Sequence, residues 1–246
     1  MLLTASAFAL VAICAFLVST LASLAGYGSG LLMPLVLVPL IGAQAVVPVL
    51  SVSGLFNNVG RIVAFRDHVQ WQVALRLLLT SVPGCLIGAS FFTMLNGPQA
   101  SNLIGAVLLL LVPGRRYIRR LSLSNGPLTL GSAGLVYGLL VGMAPGTGIV
   151  LITILMAMGV APHAVIATDA VISLFVGLVK VTTFQALGAM TPDLWLIALV
   201  IGAISLPGAF VARWLLNHIH TKVHEFILDG AVILGGSMLI LRGLSG

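Results

Sequence analysis

Two apolar runs of this chain are each broken by the same small element. It reads Gly26-Tyr27-Gly28-Ser29-Gly30 in the first half and Ala144-Pro145-Gly146-Thr147-Gly148 in the second. The central glycines stand 118 residues apart (146 − 28 = 118). Glycine weakens a helix interior by about 1 kcal/mol and admits backbone angles that other residues avoid. Hydrophobic residues make up 60% of the chain and charged residues only 7%, far below the roughly one quarter of a soluble domain. The solvent of this chain is therefore lipid. There a broken helix leaves N–H and C=O groups unpaired, which is tolerated only inside protein or beside a water-filled cavity. Matching breaks in two halves predict a transport site at the interface between repeats.

The remaining sequence fits that frame. About 20 apolar residues cover the hydrocarbon core, and Leu2–Leu24 is long enough. It lacks the basic start of a secretory leader, so it is read as a retained helix despite the Ala22-Ser23-Leu24-Ala25 ending. After the first break come a short segment, Leu31–Ile41 with Pro34 in its first turn, and spans at Ala45–Phe65, Val73–Leu95 and Ala100–Val112. A basic loop, Arg115–Arg120, divides the chain. The second half repeats the order: Leu128–Val141, the break, Ile149–Met158, then spans at Ala164–Leu187, Leu194–Leu216 and Phe226–Leu241. Pro207-Gly208 answers Pro83-Gly84, and Gly230-Ala231-Val232 answers Gly105-Ala106-Val107. The fold class read here is an all-α polytopic membrane protein of two repeats, 1–120 and 121–246. Each repeat holds a glycine-broken helical hairpin and three spanning helices.

Lys and Arg favour cytoplasmic loops. This rule places Arg66, Arg115–Arg120 and the Asn217–Lys222 loop inside. The last of these corresponds by repeat to Asn96–Gln99, which then lies outside. Corresponding loops face opposite sides, so the repeats are inverted, with both termini outside. The same basic loops account for the net charge of +6 without a nucleic-acid partner.

Breaks entering from opposite faces meet near the bilayer midplane. The short helices after them aim their N-termini at one place, and a helix N-terminus binds anions through its free N–H groups and partial positive charge. The candidate substrate-binding residues are Gly28, Ser29, Gly30, Pro145, Gly146, Thr147 and Gly148. The amides of Asn57 and Asn58 are further donors, if they do not simply join helices. Arg61 follows Gly30 by 31 residues and Lys180 follows Gly148 by 32, so each half carries one cation at an equivalent point. These two are candidates for anion guidance or gating, with interfacial snorkelling as the plain alternative. Asp169 reads as the only acidic residue deep in a span. It is left to pair with a cation, coordinate a coupling cation or carry a proton.

His218, His220 and His224 have chelating spacing but are read as a solvated cytoplasmic loop, and Cys14 and Cys85 as small packing residues. No metal, cofactor or catalytic group is read, and no nucleotide-binding or hydrolase motif supports an enzyme.

The Ala-Pro-Gly-Thr-Gly element at 144–148, the Gly-x-Gly-Ser-Gly element followed by Pro34, and Gln44-Ala45 resemble the TauE/SafE (sulfite exporter) family. So do the length and the doubled layout. The resemblance implies a secondary transporter in the bacterial inner membrane that exports a small sulfur-containing anion, such as sulfite or an organosulfonate. The chain departs from the family where Val47-Pro48-Val49-Leu50 replaces an Ala-Thr-Asn-Lys element, and where Asp169 stands near a frequent lysine. Alternating access between the halves is the mechanism read, with a coupled proton or sodium ion and a homodimer left open. A passive anion channel and a non-transporting anchor subunit are the competing readings.

Overall fold

Lengths sort the helices into two kinds. At 1.5 Å per residue, the 23 residues of Trp71–Thr93 run about 35 Å, enough to cross a core of about 30 Å. The 10 residues of Gly148–Ala157 run about 15 Å and reach half way. The computed structural model describes residues 11–18, 29–121, 123–124, 126–215 and 221–245. All regular structure among them is helical. Residues 11–18 form α1; then come α2 (Ser29–Ile41), α3 (Ala43–Phe65), a 3-10 turn at Arg66–His68, α4 (Trp71–Thr93) and α5 (Gly97–Ile118). The second half holds α6 (Pro127–Met143), α7 (Gly148–Ala157), α8 (Pro162–Ala186), α9 (Pro192–Leu215) and α10 (Thr221–Ser245).

Local sequence marks many of these ends. Asn96 caps α5 through a reciprocal pair: its Oδ1 accepts from the Gln99 N–H at 2.9 Å, and Gln99 Oε1 accepts from the Asn96 N–H at 3.1 Å. Pro127, Pro162 and Pro192 open their helices, where the missing N–H costs nothing. Two expectations are corrected. The helix α2 begins at Ser29, so Pro34 lies past its first turn and Pro39 sits near its end. The helix α5 continues through Pro113, which makes Arg115 and Arg116 helical rather than part of a loop.

Helix α8 packs against both α3 and α4, with α9 against α3, α6 against α4, and α10 against α5. In lipid such contacts rest on close packing rather than exclusion of water, and small residues allow it. Gly84 and Gly88 of α4 face Gly138 and Gly142 of α6 so closely that a Cβ on Gly84 would stand 2.6 Å from the Leu135 oxygen. Gly105 meets Gly236 in the same way between α5 and α10, and the Ser101 hydroxyl donates to the Leu239 carbonyl at 2.8 Å. Outward faces stay apolar: Leu79, Leu110 and Leu234 are 76%, 68% and 75% exposed, as side chains facing lipid should be.

Among the described residues four helices are long and apolar enough to span: Ala43–Val63, Trp71–Thr93, Gly97–Ile118 and His163–Ala186. The hairpin α6–α7 does something else. The Leu123 N–H bonds the Ala157 carbonyl, so the linker entering α6 lies beside the end of α7. Both arms therefore open on one face, and the break lies at the buried tip.

Candidate functional site

At that tip α6 ends on Ala144, whose backbone is extended, and Gly146 takes φ +80°, a region that favours glycine. Thr147 then begins α7. Gly30, in the first turn of α2, lies directly on this turn: a Cβ on Gly30 would be 2.5 Å from the Gly146 nitrogen. A Cβ on Gly146 would in turn meet Leu31 Cδ2 at 2.6 Å and the Gly30 oxygen at 3.0 Å. Gly30 of the first glycine element and Gly146 of the second, 116 residues apart (146 − 30 = 116), are thus in contact.

Thr147 is 1% exposed, and its hydroxyl has no hydrogen-bond partner among the described residues. As the residue capping α7 it would ordinarily accept from the helix's own N–H groups, yet it makes no such bond. The Val150 N–H bonds the Thr147 carbonyl at 2.9 Å. Gly148 and Ile149 lie in the turn where N–H groups have no partner within the helix. No described residue lies within 4 Å of a Cβ built on Gly148, so among the described residues space is open beside these donors. Pro145 is buried against the break. Gly28 and the side chain of Ser29 lie outside the described residues.

Arg61 sits one turn before the end of α3, and Asp169 two turns into α8. Their pairing, Arg61 Nη2 to Asp169 Oδ2, is 2.7 Å long, with the carboxylate side chain 1% exposed. Arg61 also donates to the Ile166 carbonyl at 3.4 Å. From the carboxylate a chain of hydroxyls leads inward: Ser173 donates to Asp169 Oδ1 at 3.4 Å, and the buried Tyr137 hydroxyl lies 3.2 Å from Ser173 Oγ. Tyr137 belongs to α6, so this network ties the α3–α8 pair to the hairpin. Toward the nearer face the Gln70 N–H donates to Thr168 at 3.0 Å, and the His68 and His163 rings lie 5.7 Å apart. Of the three roles open to Asp169, pairing with a cation is what the geometry displays.

Lys180 lies 11 residues further along α8 (180 − 169 = 11), about 16 Å away. It is 5% exposed, rather than reaching into an open mouth. Its ammonium stands 5.9 Å from the centre of the Phe184 ring. No carboxylate pairs with it among the described residues. The two halves differ here for a readable reason. Asp169 follows Gly148 by 21 residues, and the residue 21 after Gly30 is Ser51, whose hydroxyl turns back to the Val47 carbonyl. Among the described residues Arg61 has its acid and Lys180 does not.

Asn57 and Asn58 lie half-buried on α3, one turn before Arg61, and neither amide is hydrogen-bonded among the described residues. His218 and His220 lie outside the described residues, as does the side chain of His224; no group of metal-ligating side chains occurs among those described. Asp169 is not the only buried acid. Asp229 of α10 is 8% exposed and takes both Arg115 and Arg116 of α5, the latter at 3.1 Å. Its proximity to the start of the last apolar run hid it. Ser173 was also missed, although its place four residues after Asp169 sets it on the same helix face.

A family model described as sulfite exporter TauE/SafE matches residues 11–239. No curated protein and no solved structure matches. The chain belongs to the TauE/SafE family of membrane transporters, as its glycine elements implied.

Proposed function

We propose that this TauE/SafE family member is a secondary transporter that exports a small sulfur-containing anion, sulfite or an organosulfonate, from a site where the two breaks meet. One observation carries the reading: Thr147, buried at the N-terminus of α7, holds a hydroxyl with no partner among the described residues, beside the contact of Gly30 with Gly146. A polar group left unpaired in a protein interior costs about 1–3 kcal/mol. An oxyanion would remove that cost by accepting from Thr147 and from the N–H groups of Gly148 and Ile149. Its charge would be met by the helix end, with no formal cation beside it.

Alternating access between inverted halves, 1–120 and 121–246, is the proposed mechanism. The helix pairings support it, because they come in matched sets. Under the repeat α2, α3, α4 and α5 correspond to α7, α8, α9 and α10; the α3–α9 packing then answers α4–α8, α2–α10 answers α5–α7, and α2–α3 answers α7–α8. The Arg61–Asp169 pair clamps α3 to α8 on one side of the site, while Lys180, with no carboxylate partner among the described residues, offers a cation on the other. We propose that the pair is a gate and that a proton is the coupling ion: protonating Asp169 would release Arg61. In this reading the basic end of α5 at Arg115–Arg120 is cytoplasmic, the termini are outside and the membrane is a bacterial inner membrane.

The test is counterflow in proteoliposomes. Vesicles loaded with unlabelled sulfite or sulfoacetate should accumulate the labelled anion transiently, with saturation and mutual competition. Non-saturating conductance would replace this reading with the passive channel.

A further inference from the structure

A cavity of about 340 Å³ runs between α5 and the α6–α7 hairpin. Leu110, Leu111, Val136, Leu140, Val150 and Ile154 form its walls, so the lining is almost wholly apolar. Leu110 and Val136 are 68% and 52% exposed, which opens the slot sideways to lipid tails. One end is different. Arg115 lines it together with Thr129 and Ser132, and the exposed Arg116, Arg119 and Arg120 follow on the same stretch of chain. Of this stretch, Arg115 and Arg116 pair with Asp229 of α10. Tyr117, 67% exposed beside them, has the amphipathic ring typical of a membrane–water boundary.

An apolar slot open to the bilayer, with a strongly basic rim at one end only, fits one class of molecule. A soluble oxyanion would leave the walls unused, and an uncharged tail would leave the rim unused. We propose that the slot binds an anionic phospholipid of the surrounding bilayer, with one acyl tail along Leu110 and Val136 and its phosphate at Arg116 and Arg120. Basic pockets between membrane helices recognise anionic headgroups through this charge, each arginine adding about a fivefold preference. The tail would reach Val150, one turn beyond Thr147, so the lipid would fill the gap beside α7. This inference stands apart from the identity of the transported anion.

The experiment is native mass spectrometry of the delipidated full chain offered phosphatidylglycerol and phosphatidylcholine in equal amounts, with thermal stability read in parallel. Wild type should retain phosphatidylglycerol in preference and gain stability from it alone. The double variant Arg116→Ala/Arg120→Ala should lose roughly thirtyfold in that preference. Since Arg116 also contacts Asp229, a second variant, Val136→Trp, fills the slot with every arginine intact and should lose the bound lipid too. Equal retention of the two lipids overturns the proposal. So does a phosphatidylglycerol preference unchanged in Val136→Trp, or displacement of the lipid by inorganic phosphate alone.

Discussion

Asp169 and Lys180 share one helix, yet opposite outcomes are expected from neutralising them. Asp169 balances Arg61, and removing one partner of a buried pair costs about 3–5 kcal/mol because a charge is left uncompensated. Asp169→Asn should therefore lower the melting temperature in detergent sharply, and adding Arg61→Gln should recover much of the loss. Lys180 is buried without a carboxylate among the described residues, so Lys180→Met should raise the melting temperature while reducing anion exchange at least tenfold. If Lys180→Met exchanges like wild type, the lysine is a packing residue. Both residues were legible in the sequence as ionisable groups inside spans. Their difference was not: the partner of Asp169 lies 108 residues back (169 − 61 = 108), and equal spacing from the two breaks made Arg61 and Lys180 look alike. Asp229 escaped because Arg115 and Arg116 read as loop residues, when α5 in fact runs on past Pro113.

Helix pairs are held by glycines that differ greatly in what surrounds them. A Cβ on Gly142 would stand 2.6 Å from the Cys85 oxygen and 2.7 Å from the Ala89 nitrogen, both backbone atoms that cannot swing aside. Gly142→Ala should cost about 1–3 kcal/mol, the usual scale for overpacking, and lower the melting temperature. Nothing lies within 4 Å of a Cβ on Gly54 in α3, so Gly54→Ala should stabilise by roughly 0.5–1 kcal/mol through helix propensity. Equal effects of the two would deny that the α4–α6 seam depends on close backbone approach. At this scale the second break was the most readable feature, because Pro145 and Gly146 together forbid a continuous helix. The seam itself was not, since glycines spaced along an apolar run do not name their partner helix. The first break is legible only in part, because Gly28 lies outside the described residues and Ser29 and Gly30 prove helical.

For the whole molecule, inverted halves demand that corresponding loops lie on opposite sides. With Cys14 and Cys85 replaced, Ser124→Cys in the interhalf linker should react with an impermeant maleimide only from the cytoplasm, and Leu187→Cys at the end of α8 only from outside. Labelling of both from one side would contradict the proposed arrangement. The helical class was legible from apolar run lengths, whereas the meeting of residues 116 apart in sequence required the packing of the whole bundle. That meeting is the centre of the account, and equilibrium exchange of labelled sulfite in proteoliposomes tests it most directly. Thr147→Val removes the buried hydroxyl and keeps the shape of the side chain. A hydrogen bond to a charged group is worth about 1.5–3 kcal/mol, so the apparent affinity should fall roughly 10- to 100-fold in a protein that still purifies as a single species. Exchange by Thr147→Val at the affinity of wild type would place the anion elsewhere and contradict the account.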